Sequence, residues 1–272
     1  VLVNQPVALS GLVLLVFFVV VAIFAPQIAP QDPMAQNVSQ QFREPSAAHW
    51  FGTDTFGRDV FSRVVYGSRI SLFVGLLSVA VATVVGTLLG VVSAYARGLF
   101  DLLFQRVVDA LLGFPSIVFL MVLVVALGAS LLNVTLATAV IFTPLMIRVS
   151  RGAALSVTEE PYVLAARALG ASRVRVALRH VLPNSLAPVV AIAANLMGAA
   201  VVAEAGLSFL GLGVPPPAPS WGSMLNEASR GGNFETASWL AIFPGLVLAA
   251  LVFSFMFVGD GLRDALDPRL KR

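Results

Sequence analysis

Apolar residues run through this chain in long blocks, separated by polar segments dense in Arg, Asp, Gly and Pro. A helix needs about 20 mostly apolar residues to cross the hydrocarbon of a bilayer. Residues 7–25 are uncharged and long enough. Residues 70–96 form a longer block, which fits a tilted or extended span. Further blocks lie at 114–132, 134–147, 186–205 and 239–258; the fourth of the six is short and carries Pro144. The pattern predicts an all-α polytopic membrane protein with six spans in a single domain. The first block is expected to be an uncleaved anchor: no basic segment precedes it, its apolar run is long, and Pro26 follows Ala25 where a signal peptide would be cut.

Composition sharpens this picture by exclusion. Of 272 residues, 58% are hydrophobic and only 11% charged. Soluble domains carry about a quarter charged residues, so a water-soluble globule is ruled out. Of the 17 bases, 16 are Arg, and the one Lys is Lys271. A P-loop needs Lys inside a glycine-rich turn, so the chain does not hydrolyse ATP by that route. There is no Cys, which removes disulfides, thiolate metal sites and cysteine nucleophiles. His49 and His180 both lie outside the apolar blocks, and zinc-peptidase spacing is absent. No catalytic residue and no metal ligand is expected.

Charge sets the expected orientation, because cytoplasmic segments of membrane proteins are enriched in Lys and Arg. With the N-terminus inside, the inner segments hold twelve bases and the outer ones five (Arg43, Arg58, Arg63, Arg69 and Arg230). Both termini are therefore expected in the cytoplasm. The outer loops are then 26–69 and 206–238, and 148–184 is a long inner loop.

Three segments outside the blocks carry chemistry. In the first outer loop, Asp54, Arg58, Asp59, Arg63 and Arg69 alternate in sign, with Gly52, Gly57 and Gly67 between them. Two readings stand: local ion pairs on the membrane surface, or a docking or gating surface for something arriving from outside. The second outer loop, EAGLSFLGLGVPPPAPSWGSMLNEASRGG (204–232), is too rich in Gly and Pro for regular structure and too apolar, through Leu207, Phe209, Leu210, Leu212 and Trp221, to lie in water. It is expected to fold back into the membrane. Glu204 stands at the edge of a span, where an acid is either functional or simply solvated. GTLLG (86–90) is a small-residue packing pattern, and Asp101, Gln105 and Asp109 recur at i, i+4 and i+8 on one polar helix face.

The inner loop is the most informative. Tyr162, Ala165, Ala166 and Leu169 fall at helical spacing. Glu159 and Glu160 suit the positive end of that helix, and Pro161 is tolerated in its first turn. Gly170 is placed to close it in a left-handed conformation. A basic stretch with Arg175 and Arg179 follows, and Pro183 and Asn184 are expected to break the chain before the fifth span. A helix this short is unstable alone in water. Its small apolar face needs a partner: either this protein's own helices or a separate cytosolic subunit, while the bases also suit anionic lipid headgroups.

YVLAARALG (162–170) followed by RHVLPN (179–184) resembles the EAA loop of ABC importer permeases. Ala165, Ala166, Gly170, Leu182 and Pro183 match that pattern; Leu164 stands where the family carries Glu. HWFGTDTFGRDVFSRVVYGSRISL, EAGLSFLGLGV, PSWGSML and GLRDALDPRL (261–270) are similar to the C-type permease of dipeptide, oligopeptide and nickel importers, and the similarity runs from residue 31 to 270. The resemblance implies a type I ABC importer permease fold with a cytoplasmic coupling helix, in a bacterial inner membrane. It implies a paralogous B-type permease, two cytosolic ATPase subunits that hold ATP and Mg, and an extracytoplasmic substrate-binding protein as partners, with membrane lipid around them and no nucleic acid. The ATPase-coupling residues would be Glu159, Glu160, Tyr162, Leu164, Ala165, Ala166, Arg167, Leu169, Gly170, Ala171 and Ser172, with Leu182 and Pro183 ending the loop. Asp54, Arg58, Asp59, Glu204 and Trp221 are the outer docking or gating candidates. The expected cargo is a peptide, with a nickel chelate or other peptide-like cargo as the alternative.

Two other classes fit less well. An ion-coupled secondary transporter carries ionisable residues near the bilayer midplane, and the first, third, fourth and sixth apolar cores hold none. An intramembrane hydrolase needs an in-membrane Ser-His or paired-Asp constellation, which is absent.

Overall fold

The computed structural model describes residues 6–230 and 233–266. The end of the GLRDALDPRL tail, with Arg269, Lys271 and Arg272, lies outside the described residues. The described residues are helical, with one isolated bridge between Thr53 and Asp59. In chain order the helices are α1 (Pro6–Ile23), α2 (Ala25–Ile28), α3 (Val60–Ala96), α4 (Gly98–Gly113), α5 (Ser116–Leu127), α6 (Leu131–Thr158), α7 (Pro161–Ala168), α8 (Arg173–Val176), α9 (Leu182–Phe209), α10 (Trp221–Ser229), α11 (Asn233–Thr236) and α12 (Trp239–Leu266), with a π turn (Ala177–Val181) joining α8 to α9.

Five helical stretches are long and apolar enough to cross a membrane: α1, α3, α6, α8 through α9, and α12. The pair α4 and α5, bent by 93° at its break, would make a sixth. Phe114 causes that bend. It precedes Pro115 and adopts the extended backbone (φ −80°, ψ 138°) that the proline ring imposes on its predecessor. Exposed Val13, Phe17, Val84, Leu88, Val122 and Phe253 form an apolar exterior, the inverse of a soluble protein.

Close approach between the long helices depends on glycine. α3 lies along α6, and a Cβ on Gly86 would stand 2.4 Å from Met146 Cβ. One on Gly90 would stand 2.1 Å from Ser150 Oγ and 2.6 Å from the Ile147 carbonyl. Ser150 Oγ in turn lies 3.0 Å from the Gly86 carbonyl. The GTLLG pattern is thus the α3–α6 contact. Gly11 meets Phe257 of α12, and Gly259 of α12 meets Asn195 of α9 in the same manner. Phe18, Val64, Val201, Trp221, Leu251 and Phe255 join α1, α3, α9, α10 and α12 in one apolar core.

The helices differ from the sequence pattern in four places. The block 114–132 is not one helix: α5 has 12 residues and stops at Gly128 (φ +86°), and Ser130 caps α6 by accepting from the Asn133 N–H at 3.1 Å. Twelve residues rise about 18 Å, too little to cross about 30 Å of hydrocarbon. α6 is not short either; it runs through Pro144 to Thr158, so the first eleven residues of the expected inner loop are helix. Pro183 does not break the chain. The π turn precedes it, and the helix continues through it, because the wider turn relieves the clash between the proline ring and the preceding turn. The second outer loop is not devoid of regular structure, since α10 forms once the prolines end at Pro219.

Candidate functional site

At one end of the bundle α6 hands the chain to α7. The Glu160 backbone is extended (φ −67°, ψ 139°), and Pro161 occupies the first turn of α7, where no N–H is required. Gly170 adopts φ +84°. Its N–H donates to the Arg167 carbonyl (2.9 Å), and the Ala171 N–H donates to the Ala166 carbonyl (3.1 Å). These two bonds make a Schellman closure. Ser172 then caps α8, its hydroxyl accepting from the Arg175 N–H at 3.3 Å.

A single side chain anchors α7. Val163 is fully buried, in a cluster with Val91, Ala94, Ala154, Val176 and Val181. The helix therefore rests on the ends of α3 and α6 and on the π turn. The stripe Tyr162, Ala165 and Leu169 points away from that anchor. Leu169 is 89% exposed, and Tyr162 and Leu164 are about half exposed. Ala166 is half-buried; Glu159, Glu160, Arg167 and Gly170 are exposed.

Beside α7, the polar face of α4 is tied to α6. Arg151 grips Asp101 with Nε (2.7 Å) and a terminal nitrogen (2.5 Å), a two-point guanidinium–carboxylate geometry. Ser93 of α3 donates to the same carboxylate (2.5 Å), Gln105 donates to Ser93 (2.9 Å), and Arg148 pairs with Asp109. The i, i+4, i+8 face of α4 thus fixes the platform from which α7 projects. Because Asp101 pairs with Arg151 outside the apolar blocks, these polar residues brace two helix ends.

The opposite end carries a buried ionic cluster. Asp54 accepts from the backbone N–H groups of Phe56 (2.8 Å) and Arg58 (3.0 Å) and from Arg58 Nε (2.6 Å). A terminal nitrogen of Arg58 also reaches both oxygens of Glu227 on α10 (2.8 and 2.9 Å). Arg63 stands 3.4 Å from Asp54 and 3.7 Å from Glu227, and donates to the Pro33 carbonyl at 3.3 Å. Asp59 caps α3 through the Ser62 N–H (2.8 Å) and lies 3.0 Å from His49 Nδ1. Trp221 Nε1 donates to the Val64 carbonyl (2.9 Å), its ring filling the place a side chain at Gly67 would take. Glu204 Oε1 accepts from Ser208 (2.7 Å) and Ser220 (2.8 Å).

Residues 86–272 match the family described as binding-protein-dependent transport system inner membrane component, and residues 1–45 match the N-terminal transmembrane domain of oligopeptide transport permease C. The dipeptide transport system permease protein DppC of Alkalihalophilus pseudofirmus is 42% identical over 98% of this chain and 88% of its own length. The probable D,D-dipeptide transport system permease protein DdpC of Escherichia coli K12 is 40% identical over 98% of this chain and 89% of its own. The chain belongs to the binding-protein-dependent inner membrane permeases. In structure it superposes on a chain of the inward-facing MetNI methionine ABC transporter with a TM-score of 0.63, at 20% identity, covering 75% of this chain and 96% of the other. The fold is thus that of a type I ABC importer permease, and the protein is a multi-pass inner membrane transport subunit.

In this permease the eleven coupling candidates, Glu159 to Ser172, lie together on and around α7, whereas Leu182 and Pro183 lie at the start of α9, past the π turn. The five outer docking or gating candidates lie inside the fold. Asp54, Arg58, Asp59, Glu204 and Trp221 are all buried, Arg58 to 3% exposure. An arriving protein cannot touch side chains enclosed by the loop, α3 and α10, so they present no docking face. The ion pairs are real but internal. Sequence reasoning missed Glu227 as the partner of Arg58, 169 positions away, and Val163, whose one-residue signal lay opposite the stripe. Among the described residues no group of three or more His, Asp or Glu side chains is placed to hold a metal ion.

Proposed function

We propose that this permease forms half of the translocation pathway of an ATP-driven peptide importer and that α7 is the helix its ATPase grips. The observation that carries this reading is the placement of α7: Val163 is its one fully buried side chain, Gly170 closes it, and Tyr162, Ala165 and Leu169 turn outward. A short helix with one fully buried side chain gains little stability from its own fold, and a partner covering the stripe would supply more. The one Lys lies at position 271, so the motor belongs to other subunits: two cytosolic ATPases, which bind ATP and Mg. A B-type permease supplies the other half of the pathway, and an extracytoplasmic binding protein delivers cargo. Closure of the ATPases on ATP then moves α7, and through Val163 the ends of α3 and α6, so that a pull on one short helix is passed to two long ones. Leu164, where related loops carry Glu, offers an apolar contact in place of a salt link. In this reading both termini and α7 face the cytoplasm, which the excess of bases on that side supports. Peptide cargo is supported by the relatives named for dipeptides, and a nickel chelate or other peptide-like cargo is the alternative reading.

Gly170→Val tests the lever. No atom stands within 4 Å of a Cβ at that position, so the cost is confined to the positive φ, about 1–3 kcal/mol for a β-branched residue. ATPase subunits are expected to co-purify with the variant while peptide uptake per ATP hydrolysed falls severalfold. Unchanged uptake per ATP would remove Gly170 from coupling, and failure of any ATPase to co-purify with the wild-type chain would remove the importer reading itself.

A further inference from the structure

Next to α7, two surface cavities adjoin. One, of about 330 Å³, is basic: Arg97, Arg167 and Arg173 line it together with Tyr95 and Thr158. The other, of about 420 Å³, is an apolar groove between the end of α3 and the α8–π turn, lined by Leu88, Val92, Val174, Ala177 and Leu178. Tyr95, Ala96 and Arg173 belong to both. Among the described residues no carboxylate lies within ion-pair distance of the three arginines. The nearby acids are engaged elsewhere, Asp101 by Arg151 and Asp109 by Arg148. Arg167 lies 5.9 Å over the Tyr95 ring, and the Tyr95 hydroxyl is buried with no hydrogen-bond partner. Arg97 holds φ +50°, a conformation disfavoured for a side-chain-bearing residue and kept only where its surroundings require it. The site thus offers three guanidinium groups without an acceptor, at the point where the apolar run of α3 ends.

The geometry points to a bound anionic phospholipid, its phosphate among Arg97, Arg167 and Arg173 and one acyl chain along the groove. Charge complementarity selects an anion, since guanidinium groups bind phosphate oxygens in paired geometry. The apolar groove selects a lipid over a free phosphate or a protein carboxylate: it continues the membrane-facing surface of α3, on which Leu88 and Val92 are more than half exposed. Basic pockets between helices at the cytoplasmic side of a membrane bind lipid headgroups on the same principle.

The test is photolabelling of the intact assembly in phosphatidylcholine nanodiscs, using a phosphatidylglycerol that carries a photoreactive acyl chain. Labelling is expected in the peptides around residues 88–96 and 174–178. Arg97→Gln combined with Arg173→Gln is expected to cut it about tenfold or more, because two of the three guanidinium groups that would hold the phosphate are then gone. Val92→Trp, which fills the groove and leaves the arginines in place, is expected to cut it as well, with the assembly intact by size exclusion in both cases. Equal labelling by a photoreactive phosphatidylcholine would overturn the inference. So would complete competition by inorganic phosphate, which assigns the site to a free anion. Loss of ATPase subunits from the arginine variant with labelling unchanged would assign the bases to the ATPase instead.

Discussion

Arg58→Met is expected to unfold the loop end of the permease and abolish uptake. Arg58 hydrogen-bonds both Asp54 and Glu227, at 2.6 and 2.8 Å. Its removal takes the closest guanidinium from the Asp54 and Glu227 carboxylates, and Arg63 stands 3.4 and 3.7 Å from them, too far for good hydrogen bonds. Removing one partner of a buried pair costs about 3–5 kcal/mol, because the remaining charge stays desolvated. The connection between loop 26–59 and α10 would go with it. Arg58→Met combined with Glu227→Gln is expected to recover part of the loss, since that variant removes one of the charges that Arg58 balanced. Thermal stability of the detergent-purified chain checks both variants. An unchanged melting temperature in Arg58→Met would mean that the cluster is solvated and contributes little, as exposed pairs do.

Gly90→Val is expected to have the next largest effect, by prising α3 from α6. Even a methyl group there would lie 2.1 Å from Ser150 Oγ and 2.9 Å from the Arg151 N–H. Backbone atoms of α6 stand in the way, so a rotamer change cannot relieve the overlap. Helices in lipid associate through close packing at small residues, and overpacking costs about 1–3 kcal/mol or more. Separation at this point would also shift Arg151 from Asp101 and tilt the platform under α7. The expected readout is a lower melting temperature together with reduced uptake. Gly98→Val, at a position with no neighbour within 4 Å, controls for substitution of glycine as such: its positive φ adds local strain without touching α6. Normal stability in Gly90→Val would show that the two helices are not in contact at this level.

Much of the architecture can be read from the chain because a bilayer enforces long apolar runs. What the runs concealed were the ends of the helices. Arg63, Ser68 and Arg69 read as loop residues, yet they are the first turns of α3. The two arginines are met by distant partners: Glu227 for Arg63, and the Ala22 carbonyl for Arg69 at 2.6 Å. Such pairings join positions far apart in the chain and leave no local periodicity. The same reason hid the burial of Asp54, Asp59 and Glu204, whose charges suggested a surface. The coupling segment was legible in more detail because its devices are local. The Gly170 N–H bonds the Arg167 carbonyl and the Ala171 N–H bonds the Ala166 carbonyl, three and five residues back, and Ser172 caps α8 three residues ahead of Arg175. Only the anchor Val163 escaped notice, since one valine opposite a stripe has no pattern.

The central claim, that a separate motor subunit grips α7, can be measured directly because the chain has no native Cys. Ala165→Cys and Leu169→Cys would each carry a maleimide photo-cross-linker in the assembled importer, with Val84→Cys on the apolar exterior as the control. The account predicts cross-links from positions 165 and 169 to an ATPase subunit and none from position 84. Capture of the label only by this chain's own peptides or by lipid, in an assembly that retains its ATPases, would contradict it.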